Sequence, residues 1–276
     1  SSGLLTQVSD GTGRTVGYTY DFAGNLVTAA DPLNKVTSYV YDSPGRLTQI
    51  FYPSRPGNAF VTNTYDSLSR VKLQADANNA PWHYFFAGTR SEEVNPTGMR
   101  HVLYSTPLGK TRVEIQDLQG LNLATTNTHD GLGRIVTTTL PEGNSVGYTY
   151  DLKSNVLTTT LTPKVGSPLS PLTTTVTYNA VFNKPTSVVG PSPRHLQTTF
   201  AYDGTTGNLL TTTADVGTTP HFNALSTFAY TGVGLLATST DPMGVATQYT
   251  YDGTGNQISI VRDVGSGRLN QTTTMT

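Results

Sequence analysis

One nine-residue segment near the start of the chain reads Tyr18-Thr19-Tyr20-Asp21-Phe22-Ala23-Gly24-Asn25-Leu26. A pattern of the same form, Tyr-x-Tyr-Asp-x-x-Gly-Asn/Arg-Leu, recurs at Tyr39–Leu47 and nearly as well at Tyr249–Gln257. The second tyrosines at positions 20 and 41 are 21 residues apart, as are the aromatic positions 230 and 251. A fixed period of this length indicates a tandem array of one supersecondary unit.

Looser copies of the pattern extend the array along nearly the whole chain. They are centred on Tyr65-Asp66, His129-Asp130, Tyr150-Asp151, Tyr178-Asn179, Tyr202-Asp203 and Tyr230-Thr231. The repeat is degenerate over about residues 76–128, where weak copies fall at Tyr104 and at Gln116 through Gly120. We therefore expect one array over residues 1–276. Its structural repeat motif comprises Tyr20, Asp21, Gly24, Tyr41, Asp42, Gly45, Tyr65, Asp66, Asp130, Gly133, Tyr150, Asp151, Tyr178, Tyr202, Asp203, Gly207, Tyr230, Tyr251, Asp252 and Gly255.

Each unit is predicted to be a β-hairpin. Val16, Tyr18 and Tyr20 alternate with Thr15, Gly17 and Thr19, which is the period of two expected of a strand. An Asp at the start of a turn accepts backbone N–H groups, and a glycine three residues later adopts the left-handed conformation without steric cost. The range 21–24 therefore suits a type I turn followed by a glycine bulge, and Leu-Val-Thr runs form the return strand.

A second set of turns is expected at the opposite edge of the sheet. The strings that begin at Asp31, Asn95 and Asp241 place Pro second and Asn or Gly fourth, and Leu140 begins a close relative. The longer connections fall at this same edge, at residues 53–59, 163–171, 190–195 and 215–224. We call the two sides the Tyr-Asp edge and the Pro edge. The Pro edge is the one that varies, and variable loops are where surface binding usually lies.

Composition excludes several classes of protein. The chain has no cysteine, so disulfide scaffolds and thiolate zinc sites are excluded. Its net charge of −1 gives no positive electrostatic field that would attract nucleic acid. No apolar run is long enough to form a membrane helix. The chain holds 49 threonines, 15 tyrosines, 27 glycines and 16 prolines, and no segment shows a sustained helical period. The prediction is an all-β chain with almost no helix.

The repeated motif resembles the YD repeats of the Rhs family of bacterial proteins, which also occur in the B and C components of toxin complexes and in teneurins. The resemblance implies tandem antiparallel hairpins in a curved sheet, an arc of a spiral β-shell. In Rhs proteins and toxin complexes the shell encloses a toxic C-terminal segment, whereas in teneurins it belongs to an adhesion receptor. The absence of cysteine favours a bacterial member.

The resemblance also implies partners and a location. The partners would be the rest of the shell and an enclosed toxin or effector, with a cell-surface protein or glycan as the alternative. The protein would be secreted or displayed at the bacterial surface by a secretion system, and this segment carries no targeting signal. About eleven hairpins, or 22 strands at roughly 4.8 Å each, give a sheet about 105 Å long. That length is too short to close around a folded domain.

No string of residues predicts catalysis, a cofactor or a metal. Gly143–Gly147 matches a hydrolase nucleophile elbow, but a strand rather than a helix follows it. Glu92 and Glu93 are adjacent, so they should point to opposite faces of a strand and be solvated. The Asp-Gly-x-Gly strings supply one carboxylate each, which is too few for calcium. None of the five histidines has the spacing of metal ligands.

Two further features are open to a binding interpretation. The Tyr-x-Tyr pairs could stack on sugars, although aromatic ladders first of all stabilise sheets. Trp82, the only tryptophan, lies in the degenerate segment, where local packing is the simpler role. The sequence thus predicts a non-catalytic wall segment. The alternative is a recognition module that binds protein or glycan through its Pro-edge loops.

Overall fold

The computed structural model describes residues 3–218, 220–265 and 267–275. Its described residues form strands and turns with no helix, so the all-β prediction is confirmed. None of them belongs to a helix that could cross a membrane. The chain divides after Thr128 into two compact units, which are described separately below.

The first unit is an antiparallel meander in which each strand pairs with the next. Its strands are β1 (Gln7–Ser9), β2 (Thr15–Tyr20), β3 (Leu26–Ala30), β4 (Val36–Ser43), β5 (Arg46–Phe51), β6 (Val61–Tyr65), β7 (Val71–Asp76), β8 (Pro81–Ala87), β9 (Arg90–Val94), β10 (Arg100–Ser105), β11 (Thr111–Gln116) and β12 (Leu123–His129). The last strand ends one residue beyond the division.

The second unit repeats this arrangement, again with antiparallel pairing of consecutive strands. Its strands are β13 (Ile135–Thr139), β14 (Ser145–Tyr150), β15 (Val156–Thr162), β16 (Leu172–Tyr178), β17 (Pro185–Val189), β18 (Gln197–Tyr202), β19 (Leu209–Ala214), β20 (Ala224–Tyr230), β21 (Leu236–Thr240), β22 (Ala246–Tyr251), β23 (Gln257–Arg262) and β24 (Gln271–Thr274).

Neither unit is built around a conventional packed core. Val102 is the one apolar side chain that is fully buried among the described residues, and most strand positions are half-buried. A single sheet layer explains this, because both of its faces are at least partly open. Backbone hydrogen bonds and cross-strand side-chain pairs must therefore supply most of the stability.

Three details of the turns differ from prediction. Asp42 lies inside β4, and Pro44-Gly45 forms a two-residue turn in which Gly45 has φ +74°, the geometry that Pro followed by Gly favours. The weak copy at Gln116–Gly120 lies at the Pro edge, between β11 and β12. A tight turn at Gly88-Thr89, which the sequence analysis missed, joins β8 to β9 at the Tyr-Asp edge.

Candidate functional site: the Tyr-Asp edge

The turn that begins at Asp21 shows how the repeat motif closes a hairpin. The backbone N–H of Asp21 donates to the carbonyl of Asn25 (3.0 Å), and that of Gly24 donates to the carbonyl of Asp21 (3.1 Å). The carboxylate Oδ1 of Asp21 accepts the N–H groups of Ala23 and Asn25, both at 2.9 Å. Gly24 has φ +83°, a conformation that a side chain would strain. The strand register shifts beside Tyr20, which marks the bulge.

The same frame recurs along this edge in both units. In each case the first residue closes the turn through its backbone, and its carboxylate accepts the N–H groups two and four residues later. The turns with this full pattern begin at Asp66, Asp130, Asp151 and Asp252. The turns at Asn179 and Asp203 are one residue longer, and the turn at Thr231 uses its hydroxyl instead.

The Pro-edge turns share this frame and are not a separate type. Asp31 accepts the N–H groups of Leu33 and Lys35, and Asn34 has the positive φ that Gly24 has at the other edge. Asp241 accepts the N–H groups of Met243 and Val245 in the same way. Proline fits because the second turn position needs φ near −65° and no N–H donor.

Hydrogen bonding keeps the turn aspartates ionised. The side-chain amide of Asn25, followed by backbone N–H groups, lowers the pKa of Asp21. The side chains of Thr12 and Arg14 lower the pKa of Asp10 to about 2. Thr254 and Asn256 likewise lower the pKa of Asp252. Each of these hydrogen bonds stabilises the ionised carboxylate more than the neutral acid. The aspartate side chains that close these turns are therefore negatively charged at neutral pH.

What distinguishes the Tyr-Asp edge is the tyrosine before the turn. Its hydroxyl donates to a backbone carbonyl in the preceding hairpin, as Tyr178 does to Val156 at 3.0 Å. Five further tyrosines make the same link: Tyr20 to Leu5, Tyr65 to Leu47, Tyr150 to Ile135, Tyr202 to Pro185 and Tyr251 to Leu236. These rings were expected to pack within the sheet or to stack on sugars, and the recurrence of Tyr rather than Phe was the available signal for a hydroxyl link.

The residue after the turn glycine forms a second link between hairpins. Arg134 donates from Nε to Asp130 Oδ2 (2.7 Å) and from Nη1 to the carbonyl of Asp151 (3.0 Å) and to Ser154 Oγ (3.2 Å). Its guanidinium also lies 4.5 Å from the ring centroid of Tyr150. One arginine thus joins its own turn to the next turn and to the next tyrosine.

Other residues make equivalent connections along the same edge. Arg46 lies over Tyr65 and Arg70 lies over Phe86, at 5.3 and 4.5 Å from the ring centroids. Where Asn or Lys replaces Arg, hydrogen bonds join neighbouring turns directly. The backbone N–H of Gly45 donates to the side chain of Asn25, the side chains of Asn155 and Asn183 bond to each other, and the ammonium of Lys184 donates to the carbonyl of Gly207. Within each unit these links lie on one side of the sheet and join successive hairpins.

The tips of the Tyr-Asp turns expose apolar side chains. The residues at these tips are Phe22, Leu68, Leu108, Leu132, Leu152, Val181 and Val233, and each is at least 70% exposed. Pro-edge turns expose apolar groups as well, at Leu33 and Met243, and singly exposed apolar residues are common on protein surfaces.

The Pro edge carries longer loops, two of which share a motif that the sequence analysis did not separate out. Asp215 Oδ1 contacts His221 Nδ1 (2.6 Å), and Asp215 Oδ2 accepts the N–H of Phe222 (2.9 Å). Asp263 contacts Arg268 and accepts the N–H of Leu269 in the same manner. The signal was Asp-Val-Gly at 215–217 and again at 263–265, each followed by an Asn that closes the loop.

The prediction that Glu92 is solvated is wrong. Its side chain is 5% exposed and forms ion pairs with Arg90 and with Arg100, the latter at 2.5 Å. Arg100 lies on the neighbouring strand β10, so strand pairing brings the cluster together. Glu93 does lie on the other face, directly opposite Tyr84 and His101.

The remaining candidates for chemistry lie apart from one another. Ser145 begins strand β14. His101 pairs with Glu114 (2.9 Å) in the first unit and His221 pairs with Asp215 in the second. Over the described ranges there is no group of three or more His, Asp or Glu that could hold a metal ion.

Three segments of the chain, residues 1–33, 129–164 and 230–269, match the model of the family described as RHS Repeat. In these segments the chain is similar to RHS repeats. The matched segments include the turns at Asp21, Asp130, Asp151, Thr231 and Asp252, which are those just described. A search of curated proteins found no match.

Among solved structures, two align with almost the whole chain. One is the crystal structure of TcdB2-TccC3-TEV, with a TM-score of 0.56 and 14% identity over 98% of this chain. The other is the Tc holotoxin pore of Photorhabdus luminescens, with a TM-score of 0.54 and 15% identity over 99% of this chain. The chain spans 16% of the length of either structure. At these identities the likeness shows the fold alone.

Proposed function

We propose that this chain is a non-catalytic wall segment of an Rhs-type β-shell that encloses a C-terminal toxin or effector. The observation that carries the proposal is the set of links at the Tyr-Asp edge. In both units, tyrosine hydroxyls and arginine side chains join hairpins to their neighbours. Such a device extends a sheet by regular increments, which is what a wall requires.

Surface chemistry supports the same role. Threonine hydroxyls pair across neighbouring strands, as in Thr149 with Thr158 (2.6 Å) and Thr177 with Thr186 (2.9 Å). Paired hydroxyls present small, neutral groups that offer a cargo few apolar anchors and no charge. In this proposal the repeats form one array over residues 1–276 with the remainder of the shell as partner. The assembly is a secreted or surface-displayed bacterial toxin complex.

Limited proteolysis of the complete gene product tests the proposal. A C-terminal segment that is enclosed should survive protease concentrations that degrade the same segment expressed alone, and it should become cleavable after denaturation of the shell. Cleavage at equal rates in both contexts would overturn enclosure. An intact shell that protects no C-terminal fragment would be consistent with a wall but would contradict the enclosure of a toxin or effector.

The alternative function is recognition of a cell-surface protein or glycan through the Pro edge. The length of these loops favours it, since the loops at 52–60 and 163–171 are longer than any of the Tyr-Asp turns, which have two to six residues. A glycan array and a cell-binding assay test it directly. Binding that is lost when the loop at 163–171 is shortened to a five-residue turn would favour recognition over enclosure.

A further inference from the structure

In the degenerate segment of the first unit, a trough of about 340 Å³ opens on one face of the sheet at the Pro edge. A row of side chains from successive strands crosses its floor: Glu93 opposite His101, and His101 opposite Gln116. Trp82 lines the trough, together with the exposed apolar groups Met99 and Leu123. Polar groups on the floor and apolar groups beside them give this trough a chemistry that the regular repeats lack.

The floor carries the carboxylate of Glu93, for which the described part of the chain supplies no salt bridge. Arg90 and Arg100 both pair with Glu92, which lies on the opposite face. The cross-strand neighbours of Glu93 are Tyr84 and His101, and the imidazole of His101 contacts Glu114. Among the described residues, the carboxylate of Glu93 has no ion pair. Asp117 also lines the trough and adds a second carboxylate, one oxygen of which accepts the N–H of Leu121.

A half-buried carboxylate and an indole ring that line the same trough suit a cationic ligand. An ammonium ion with an apolar body gains Coulomb attraction from the carboxylate and cation–π attraction from the ring, and its carbon atoms pack against apolar walls. A neutral ligand gains neither of the first two. We propose that the trough of Trp82 and Glu93 binds a small organic ammonium ion. This site is independent of the wall function proposed above.

Choline is the probe for the test, because its neutral isostere 3,3-dimethylbutan-1-ol has the same shape without the charge. Trp82 is the only tryptophan, so fluorescence excited at the long-wavelength edge, where the 15 tyrosines absorb little, reports on the trough. We expect saturable quenching by choline with a dissociation constant in about the millimolar range. The neutral isostere should bind about tenfold more weakly or not at all. Sodium chloride at matched ionic strength corrects for salt.

Glu93→Gln keeps the shape of the floor and removes its charge, so it should weaken choline binding about tenfold. Glu142→Gln, at an exposed turn of the second unit, is the matched control and should bind as the wild type does. Unchanged thermal unfolding of both variants excludes loss of fold as the cause. Equal affinity for choline and its isostere, equal affinity of Glu93→Gln and wild type, or quenching by glucose but not by choline would each overturn the proposal.

Discussion

The hydroxyl of Tyr202 donates to the carbonyl of Pro185 at 2.8 Å, and this bond joins the end of β18 to the beginning of β17 in the preceding hairpin. Lys184, the residue before Pro185, places its ammonium 5.6 Å from the centroid of the same tyrosine ring. Side chains therefore hold this hairpin to its neighbour at the Tyr-Asp edge, where the turns are two to six residues long.

Tyr202→Phe tests the tyrosine link. The ring packing is kept and one hydrogen bond is lost, so we expect the free energy of unfolding to fall by about 1 kcal/mol. Urea denaturation followed by circular dichroism measures the change. Tyr52→Phe is the control: Tyr52 packs against Phe60 at a ring-centroid distance of 4.5 Å, and its variant should unfold as the wild type does. Equal losses in both variants would contradict a role for the hydroxyl.

The turn at Asp252 offers two glycines for comparison. Gly255 has φ +92°, whereas Gly253 has an ordinary φ, and a Cβ added there would contact nothing within 4 Å. Gly255→Ala should destabilise the chain by about 1–2 kcal/mol through backbone strain, and Gly253→Ala should change stability by less than about 0.5 kcal/mol. Thermal unfolding of the two variants is the measurement. A larger effect at Gly253 would show that the turn conformation is wrong.

Acid should weaken the turns. The pKa values of Asp21, Asp66, Asp151 and Asp252 are lowered in the folded chain, so their stabilising effect is complete above the ordinary carboxyl pKa. It is lost as the pH falls from about 4 towards 2. Asp252→Asn should reduce the difference in the free energy of unfolding between pH 7 and pH 2, because asparagine does not titrate. Glu142→Gln, which removes a charge elsewhere in the same unit, should reduce this difference by a smaller amount.

Glu92→Ala tests the buried ion cluster. Removal of the carboxylate leaves Arg90 and Arg100 without their partner, and we expect a loss of about 2 kcal/mol because charged hydrogen bonds are costly to break. Glu142→Ala is the exposed control. Denaturant unfolding of both variants measures the change in the free energy of unfolding. A smaller loss for Glu92→Ala than for the control would mean that the ion cluster does not stabilise the fold.

The isolated chain should self-associate. Strands β1 and β24 each have one paired neighbour among the described strands, so their outer edges expose N–H and C=O groups. Light scattering after size exclusion should show oligomers at micromolar concentration. Val8→Lys and Thr273→Lys should reduce association, because they place a charge on each of the two terminal strands. Ser54→Lys, in a Pro-edge loop, should not reduce it. A monomeric wild type would contradict this expectation.

Local interactions were the predictable part of this fold. The turn from Asp21 to Asn25 closes through bonds within five residues, so the sequence of one repeat suffices to predict it. The Asp42 copy escaped prediction because Pro44 changes which residues form the turn. The link from Tyr178 to Val156 spans 22 residues, and the burial of Glu92 requires Arg100 on another strand. Both depend on strand register, which a single repeat does not specify.

Cryo-electron microscopy of the complete gene product would distinguish a wall segment from a free arm. Residues 1–276 should form part of a closed β-wall, with the Tyr-Asp turns in contact with further strands and with density for a C-terminal segment inside. A structure in which this segment projects as a free arm, with both sheet faces in solvent and no enclosed density, would contradict the wall function.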